Sequence, residues 1–256
     1  MPQITIITIS YNARSIIEET ILSIINQTYK NIEYIIIDGG STDGTLDIIK
    51  KYEKYISYWI SEPDKGIYDA MNKGIKVATG EWINFMNCGD SFAHNNVIEQ
   101  IFNKHIDSNI NVIYGDTLLS YKHKLLIRKT IPTYDNFPNI CHQSAFARNI
   151  CLKQYPFNLK YKIAADIDFF YKIFSSDSFI YIPILISKYD ISDGLSANNP
   201  FLLRKEYAEI FNLPLNDKKN NWGKLFSIIK KYIPQKIYES LYLFYLKRKK
   251  YILNYK

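Results

Sequence analysis

The sequence predicts an α/β fold organised on a mostly parallel sheet with helices on both faces, and three observations carry that expectation. Ile32, Tyr34, Ile35, Ile36 and Ile37 form an apolar, largely β-branched run of the kind a parallel sheet buries on both sides. The run passes straight into Asp38-Gly39-Gly40 and then Thr42-Asp43-Gly44-Thr45, a glycine turn that opens a helix. Strand-like and helix-like patterns then alternate with short connections as far as about residue 115.

Taken in order, residues 3–10 read as the first strand, which ends in Tyr11-Asn12. Helical spacing of Ile17, Ile21, Ile24 and their neighbours follows over 15–26. After the strand at 32–38 come a helix over 46–55, a short strand over 57–61, the loop Glu62-Pro63-Asp64-Lys65-Gly66 and a helix over 67–78. Residues 82–86 are another buried strand, ending in Asn87-Cys88-Gly89-Asp90; 97–104 are helical and 111–114 a strand. Beyond Gly115 the alternation loosens into an extended pair over 117–130, a loop over 132–138, a helix over 166–174 and a strand over 179–186. No repeat or low-complexity linker interrupts 1–216, so that stretch is expected to be one body. Its first half, about 1–115, binds a ligand at its strand ends; its second, 116–216, finishes the pocket.

Composition narrows the class. A chain of 256 residues with 47% hydrophobic and 22% charged residues is an ordinary globular protein. No apolar run reaches the ~18 residues that a spanning helix needs. The first residues lack the basic n-region and cleavage site of a signal peptide. Three widely spaced cysteines suit a reducing cytoplasm and suggest neither a disulfide framework nor a zinc site. The net charge of +7 is uneven: residues 218–256 hold eleven Lys or Arg against Glu239 alone, a local +10, which leaves about −3 for the rest.

Asp38, Asp64, Asp90 and Asp166 fall at predicted strand ends or in loops beside them. The carboxyl ends of parallel strands open on one edge, so Asp38 and Asp90 are expected to face one crevice. Carboxylates there suit a divalent cation on a diphosphate, since hard cations need few protein ligands when phosphates and water supply the rest. The chain has no G-x-x-x-x-G-K-[ST] and no G-x-G-x-x-G, which disfavours P-loop hydrolysis and dinucleotide chemistry. Asp38 also fits an ordinary Asp-capped turn, and Asp166 a helix N-cap.

Four segments in this order resemble the family 2 glycosyltransferases: I-I-T-I-S-Y-N (6–12), S-I-I-N-Q-T-Y-K-N-I-E-Y-I-I-I-D-G-G-S-T-D-G-T (23–45), S-E-P-D-K-G-I-Y-D-A-M-N-K-G-I (61–75) and G-E-W-I-N-F-M-N-C-G-D (80–90). Weaker likeness continues through C-H-Q-S-A-F (141–146), Y-K-I-A-A-D-I-D-F (161–169) and D-G-L-S (193–196), and looks like the branch that assembles bacterial surface polysaccharides. The resemblance implies the Rossmann-like GT-A fold and an inverting transfer from a nucleotide sugar. It implies Thr8, Ser10 and Tyr11 at the nucleoside pocket, Asp38 on the base, and Asp64 and Lys65 near ribose and phosphates. The family's D-x-D is N-C-G-D here, which leaves Asn87 beside the donor and Asp90 as the one acidic ligand for Mn2+ or Mg2+. Asp166 stands at the family's base position. His142 is open between a contact to acceptor, diphosphate or metal and a structural hydrogen bond. Asp168 is expected to be a solvated or capping acid.

From Trp222 onward Leu, Ile, Phe and Tyr interleave with Lys up to Lys247-Arg248-Lys249-Lys250, a basic amphipathic helical extension over 217–256. Such helices lie on anionic membranes, or pack on the body or on a second copy in a homodimer. The resulting expectation is a peripheral enzyme on the cytoplasmic face of a bacterial inner membrane, acting on a glycan or lipid-linked glycan and not on nucleic acid. The rival readings are a sugar-nucleotide nucleotidyltransferase and an inactive assembly scaffold.

Overall fold

The isoleucine-rich runs form the centre of a ten-stranded sheet in the computed structural model, which describes residues 1–121, 124–130, 137–138, 140–191, 194–214 and 252–254. β1 (Ile4–Ser10) and β2 (Ile32–Asp38) pair in parallel from Ile4 against Ile32 to Ser10 against Asp38, so both end at the same edge. Between them the chain crosses over through α1 (Ile17–Ile25). Next come α2 (Thr45–Lys51), β3 (Tyr58–Ser61) parallel to β2, α3 (Ile67–Val77) and β4 (Trp82–Phe85) parallel to β1. The resulting order β3-β2-β1-β4 reverses its progression at β1, and ligands bind outside the carboxyl ends at such a switch point.

Strand alternation supplies two cores. Ile7, Ile9, Ile35 and Ile37 face Tyr68, Met71 and Ile75 of α3 on one side. Ile4, Ile6, Tyr34 and Ile36 face Ile17, Ile21 and Ile24 of α1 on the other. Each fully buried Ile of this kind contributes about 2 kcal/mol. The helix expected over 46–55 stops at Lys51 and continues as a 3₁₀ turn at Glu53–Tyr55.

The second half is mixed in direction. β5 (Ser91–Phe92) and α4 (Val97–Phe102) precede β6 (Val112–Tyr121) and β7 (Lys124–Arg128), the expected antiparallel pair. β8 (Ala145–Arg148) inserts antiparallel between β4 and β6, an element the sequence did not announce. α5 (Asn149–Gln154), α6 (Ala165–Ile173), β9 (Phe179–Asp190), α7 (Leu195–Asn198) and α8 (Pro200–Ile210) follow. β6 and β9 both outrun their predicted lengths and pair in parallel across an irregularity at Gly115. A Cβ there would stand 2.9 Å from the carbonyls of Ile182 and Ile184, so only glycine lets β9 approach.

Most of the expected loop over 132–138 and of the helical extension over 217–256 lies outside the described residues. Within that extension Ile252–Asn254 form β10, a strand antiparallel to β7 and not a helix. Among the described residues no helix is long and apolar enough to cross a membrane.

Candidate active site

β1, β2 and β3 deliver Ser10, Asp38 and Ser61 to one point at the carboxyl edge. Asp38 is fully buried, and its carboxylate accepts hydroxyl hydrogens from Ser10 (2.8 Å), Ser41 (2.5 Å) and Ser61 (2.7 Å). The backbone N–H groups of Gly40 (3.0 Å) and Ser41 (2.8 Å) add two more bonds. Burial acts to raise the Asp38 pKa, but these bonds outweigh it and hold the carboxyl below its ordinary value. Five donors fill the roughly four lone-pair positions of a carboxylate. In this arrangement Asp38 shapes the Gly39–Ser41 turn, and to read a base it must first release one of these donors.

Thr8 is likewise fully buried; it donates to the Met86 carbonyl (2.8 Å) and accepts from Tyr34 (3.1 Å), tying β1 to the loop after β4. Tyr11, by contrast, is 66% exposed. A Cβ on Gly39 would meet Asp64 Oδ2 at 2.6 Å and Tyr11 Cδ2 at 3.3 Å, so Tyr11 and Asp64 converge over that glycine. Asp64 Oδ1 accepts the Gly66 N–H (2.8 Å), and the Lys65 N–H binds Asp69 (3.0 Å) while the Lys65 side chain is exposed.

Across the crevice, β4 runs into the turn Asn87-Cys88-Gly89-Asp90, closed by the Asp90 N–H on the Asn87 carbonyl (3.0 Å). Gly89 sits at φ +91°, where an L side chain is strained. Burial pushes the Asp90 carboxyl up to about 7, against the pull of a hydrogen bond from Gln143 and the charge of His142. Gln143 Nε2 reaches Asp90 Oδ2 at 2.9 Å, and no donor among the described residues meets Oδ1.

The 3₁₀ turn at His142–Ser144 links this carboxylate to a second one. His142 Nδ1 lies 2.9 Å from Asp166 Oδ2, and its Nε2 lies 3.1 Å from Asn87 Nδ2. The Tyr68 hydroxyl is 2.8 Å from Asp166 Oδ1. Burial raises the Asp166 pKa, but the hydrogen bond and charge of His142, with Tyr68, prevail and keep it lowered. An ionised Asp166 accepts a hydrogen from Nδ1; Nε2 accepts from the Asn87 amide only in the neutral imidazole, since the charged ring would donate from both nitrogens. With Asn87 Nδ2 towards the imidazole, Asn87 Oδ1 is buried and has no partner among the described residues. The turn itself is pinned by Asn84, which donates to the carbonyls of Gln143 (3.0 Å) and Ala145 (2.8 Å).

A family model described as Glycosyl transferase family 2 matches residues 5–181. The chain belongs to this family. A relative from Mycobacterium bovis (strain BCG / Pasteur 1173P2), named PGL/p-HBAD biosynthesis glycosyltransferase, is 30% identical over 238 residues, covering 85% of this chain and 86% of that protein. Among solved structures, S. aureus TarS 1–349 in complex with UDP-GlcNAc has a TM-score of 0.65 at 18% identity, covering 81% of this chain and 64% of that one. The mannosyltransferase PcManGT from Pyrobaculum calidifontis, in complex with GDP-Man and Mn2+, has a TM-score of 0.65 at 16% identity, covering 82% and 63%. The chain thus spans a little under two thirds of each solved protein. The sheet is that of the GT-A fold, and the chain is a glycosyltransferase.

For this family 2 chain the described residues include no group of three or more His, Cys, Asp or Glu suited to a metal. Asp90 Oδ1, which meets no donor among the described residues, and the buried Asn87 Oδ1 nevertheless fit a hard cation that takes its remaining ligands from a diphosphate and water. Two residues that touch the paired carboxylates were missed in the sequence: Tyr68 and Gln143. Gln143 stands inside C-H-Q-S and Tyr68 inside the segment 61–75, which were the available signals, though Tyr68 there also reads as a core aromatic of α3. Asp168 is a correction, because it is 7% exposed and paired with Lys172 at 2.6 Å rather than solvated. Asp116 is held by Lys129 (2.5 Å) and Tyr181 (2.8 Å).

Proposed function

We propose that this glycosyltransferase moves a hexose from a nucleotide sugar, with a UDP-sugar favoured, to a hydroxyl of a growing surface glycan such as a lipopolysaccharide, capsule or exopolysaccharide precursor. The observation that carries the reading is the turn at Cys141–Ser144, which spans a carboxylate with an open oxygen, Asp90, and a lowered, ionised one, Asp166. One suits the leaving diphosphate and the other the incoming hydroxyl.

Asp166 takes the proton from the acceptor hydroxyl, whose oxygen attacks the anomeric carbon as the bond to the diphosphate breaks. A single displacement of this kind passes through an oxocarbenium-like state and inverts the centre. His142 and Tyr68 hold the Asp166 carboxylate in place for that transfer. Asp90 and Asn87 would hold a divalent cation, Mn2+ or Mg2+, which offsets charge developing on the diphosphate when bound. Tyr11, Asp64 and Lys65 flank the nucleoside and phosphates, with Ser10, Thr8 and Asp38 supporting them from beneath. Family membership favours transfer over the nucleotidyltransferase and scaffold alternatives. The +10 tail supports peripheral attachment to an anionic, cytoplasm-facing membrane where lipid-linked acceptors reside.

Thermal unfolding with a panel of UDP-, GDP-, dTDP- and CMP-sugars, with and without manganese, tests this. A ligand that binds only the folded state at 100 times its Kd adds about 2.7 kcal/mol. Stabilisation by a UDP-sugar that needs manganese and is absent in Asp90→Asn is expected. No response to any of the panel by folded protein would refute the reading.

A further inference from the structure

The family model ends at residue 181, and one buried carboxylate beyond it reaches back to the site. Glu206 on α8 is 5% exposed, and its oxygens accept the backbone N–H groups of Lys162 (2.7 Å), Ile163 (3.0 Å) and Ala164 (2.9 Å). A buried carboxylate is tolerated only where such bonds replace water. Among the described residues it makes no salt bridge, so these three amides are its compensation.

The segment it grips leads directly into α6, whose second residue is Asp166. Ala164, ahead of that helix, has no side chain able to cap it. From the inner side the Tyr68 hydroxyl lies 2.8 Å from the Ile163 carbonyl as well as 2.8 Å from Asp166. Residues 162–166 are thus held between α8 and α3.

We infer that Glu206 is a positioning residue for Asp166, fixing the start of α6 so that the carboxylate stays on His142 and Tyr68. The inference rests on the proposed role of Asp166 as base. Its bland rival is that Glu206 only ties α8 to the body.

Proton–nitrogen NMR on the full chain separates the two. The hydrogen of His142 Nδ1 bridging to Asp166 is expected as a downfield resonance, assigned by its loss in His142→Gln and in Asp166→Asn. Glu206→Ala removes all three acceptor contacts, and Glu206→Gln keeps the size while setting an amide NH2 against a backbone N–H. In whichever variant keeps the native circular dichroism spectrum, the resonance should move upfield or be lost to exchange. Transfer should fall about 10- to 100-fold in kcat with the donor KM unchanged, as for a reacting group displaced by about 1 Å. An unchanged resonance with only a lower Tm would overturn the inference and leave Glu206 a tether. Undiminished transfer by Asp166→Asn would instead overturn the base reading, and the inference with it.

Discussion

Asp166 and Asp38 are both buried carboxylates held below their ordinary pKa, yet they differ in what surrounds them. Asp166 meets an imidazole and a phenol at the crevice, whereas Asp38 meets three serines and two backbone amides of its own scaffold. Asp166→Asn should therefore lower kcat by about 10²- to 10⁴-fold, the span of general-base catalysis, while donor-induced stabilisation persists. Because its pKa is lowered, the Asp166 carboxylate stays ionised as pH falls, and a kcat–pH profile should show no acid limb from it above about pH 4. Asp38→Ala should act on stability, by about 3 kcal/mol in urea unfolding, since it strands buried donors. The sign with pH follows from the depressed folded pKa: the contribution is complete above the unfolded value near ~3.9 and is lost as pH falls through the lower folded one. A stability difference between wild type and variant that stays constant down to about pH 2 would contradict this. That an Asp ends β2 was legible in the sequence; what binds it was not, because the donors come from Ser10, the 40–41 turn and Ser61. C-H-Q-S marked the segment of Gln143, but its contact with Asp90 across 53 positions was illegible for the same reason.

At the scale of elements, the turn Asn87–Asp90 shows why the middle of N-C-G-D is glycine. Gly89 holds φ +91° and donates its N–H to Thr20 Oγ1 at 3.0 Å, and a Cβ there would stand 3.2 Å from Ile16 Cδ1. Gly89→Ala should cost about 1–2 kcal/mol from backbone strain and should tilt Asp90 away from Gln143. Manganese-dependent stabilisation by donor is expected to fall further than the Tm of the free protein; equal losses would show that the turn matters only for folding. The long β-branched strands and α1 and α3 were legible to within one or two residues, because several isoleucines repeat with the period of the element. β8 was not, since Ala145–Arg148 offers four residues and no alternation, and its place between β4 and β6 depends on Asn84 and on partners far along the chain. α8 did carry a signal, Pro200 at its first turn, the position where proline is favoured.

On the scale of the molecule, neither core belongs to one half of the chain. Phe146 of β8 is fully buried against Phe92 and Phe102, and Phe157 and Phe169 pack towards Tyr68 and Phe85. Urea should then unfold the body in a single transition, with Phe146→Ala lowering its stability by about 3–5 kcal/mol, and two resolved transitions would contradict a shared core. The absence of a linker in the sequence pointed the same way, although nothing local in it could say which aromatics meet. Charge, by contrast, is divided: about −3 over residues 1–217 and +10 over 218–256. An anionic bilayer repels the first and attracts the second, at about 1 kcal/mol for each Lys or Arg near the surface. Attraction of that origin is screened beyond a Debye length of ~10 Å at 0.1 M salt, so binding to phosphatidylglycerol vesicles should be strong in low salt and weaken steeply as salt is added. Removing 217–256 should abolish it, and vesicles of neutral phosphatidylcholine should not capture the full chain. Sedimentation of the protein with vesicles reads all three arms. Capture that survives removal of the tail would place the membrane contact on the body, against its own charge, and failure of the full chain to sediment at low salt would leave the tail to another partner.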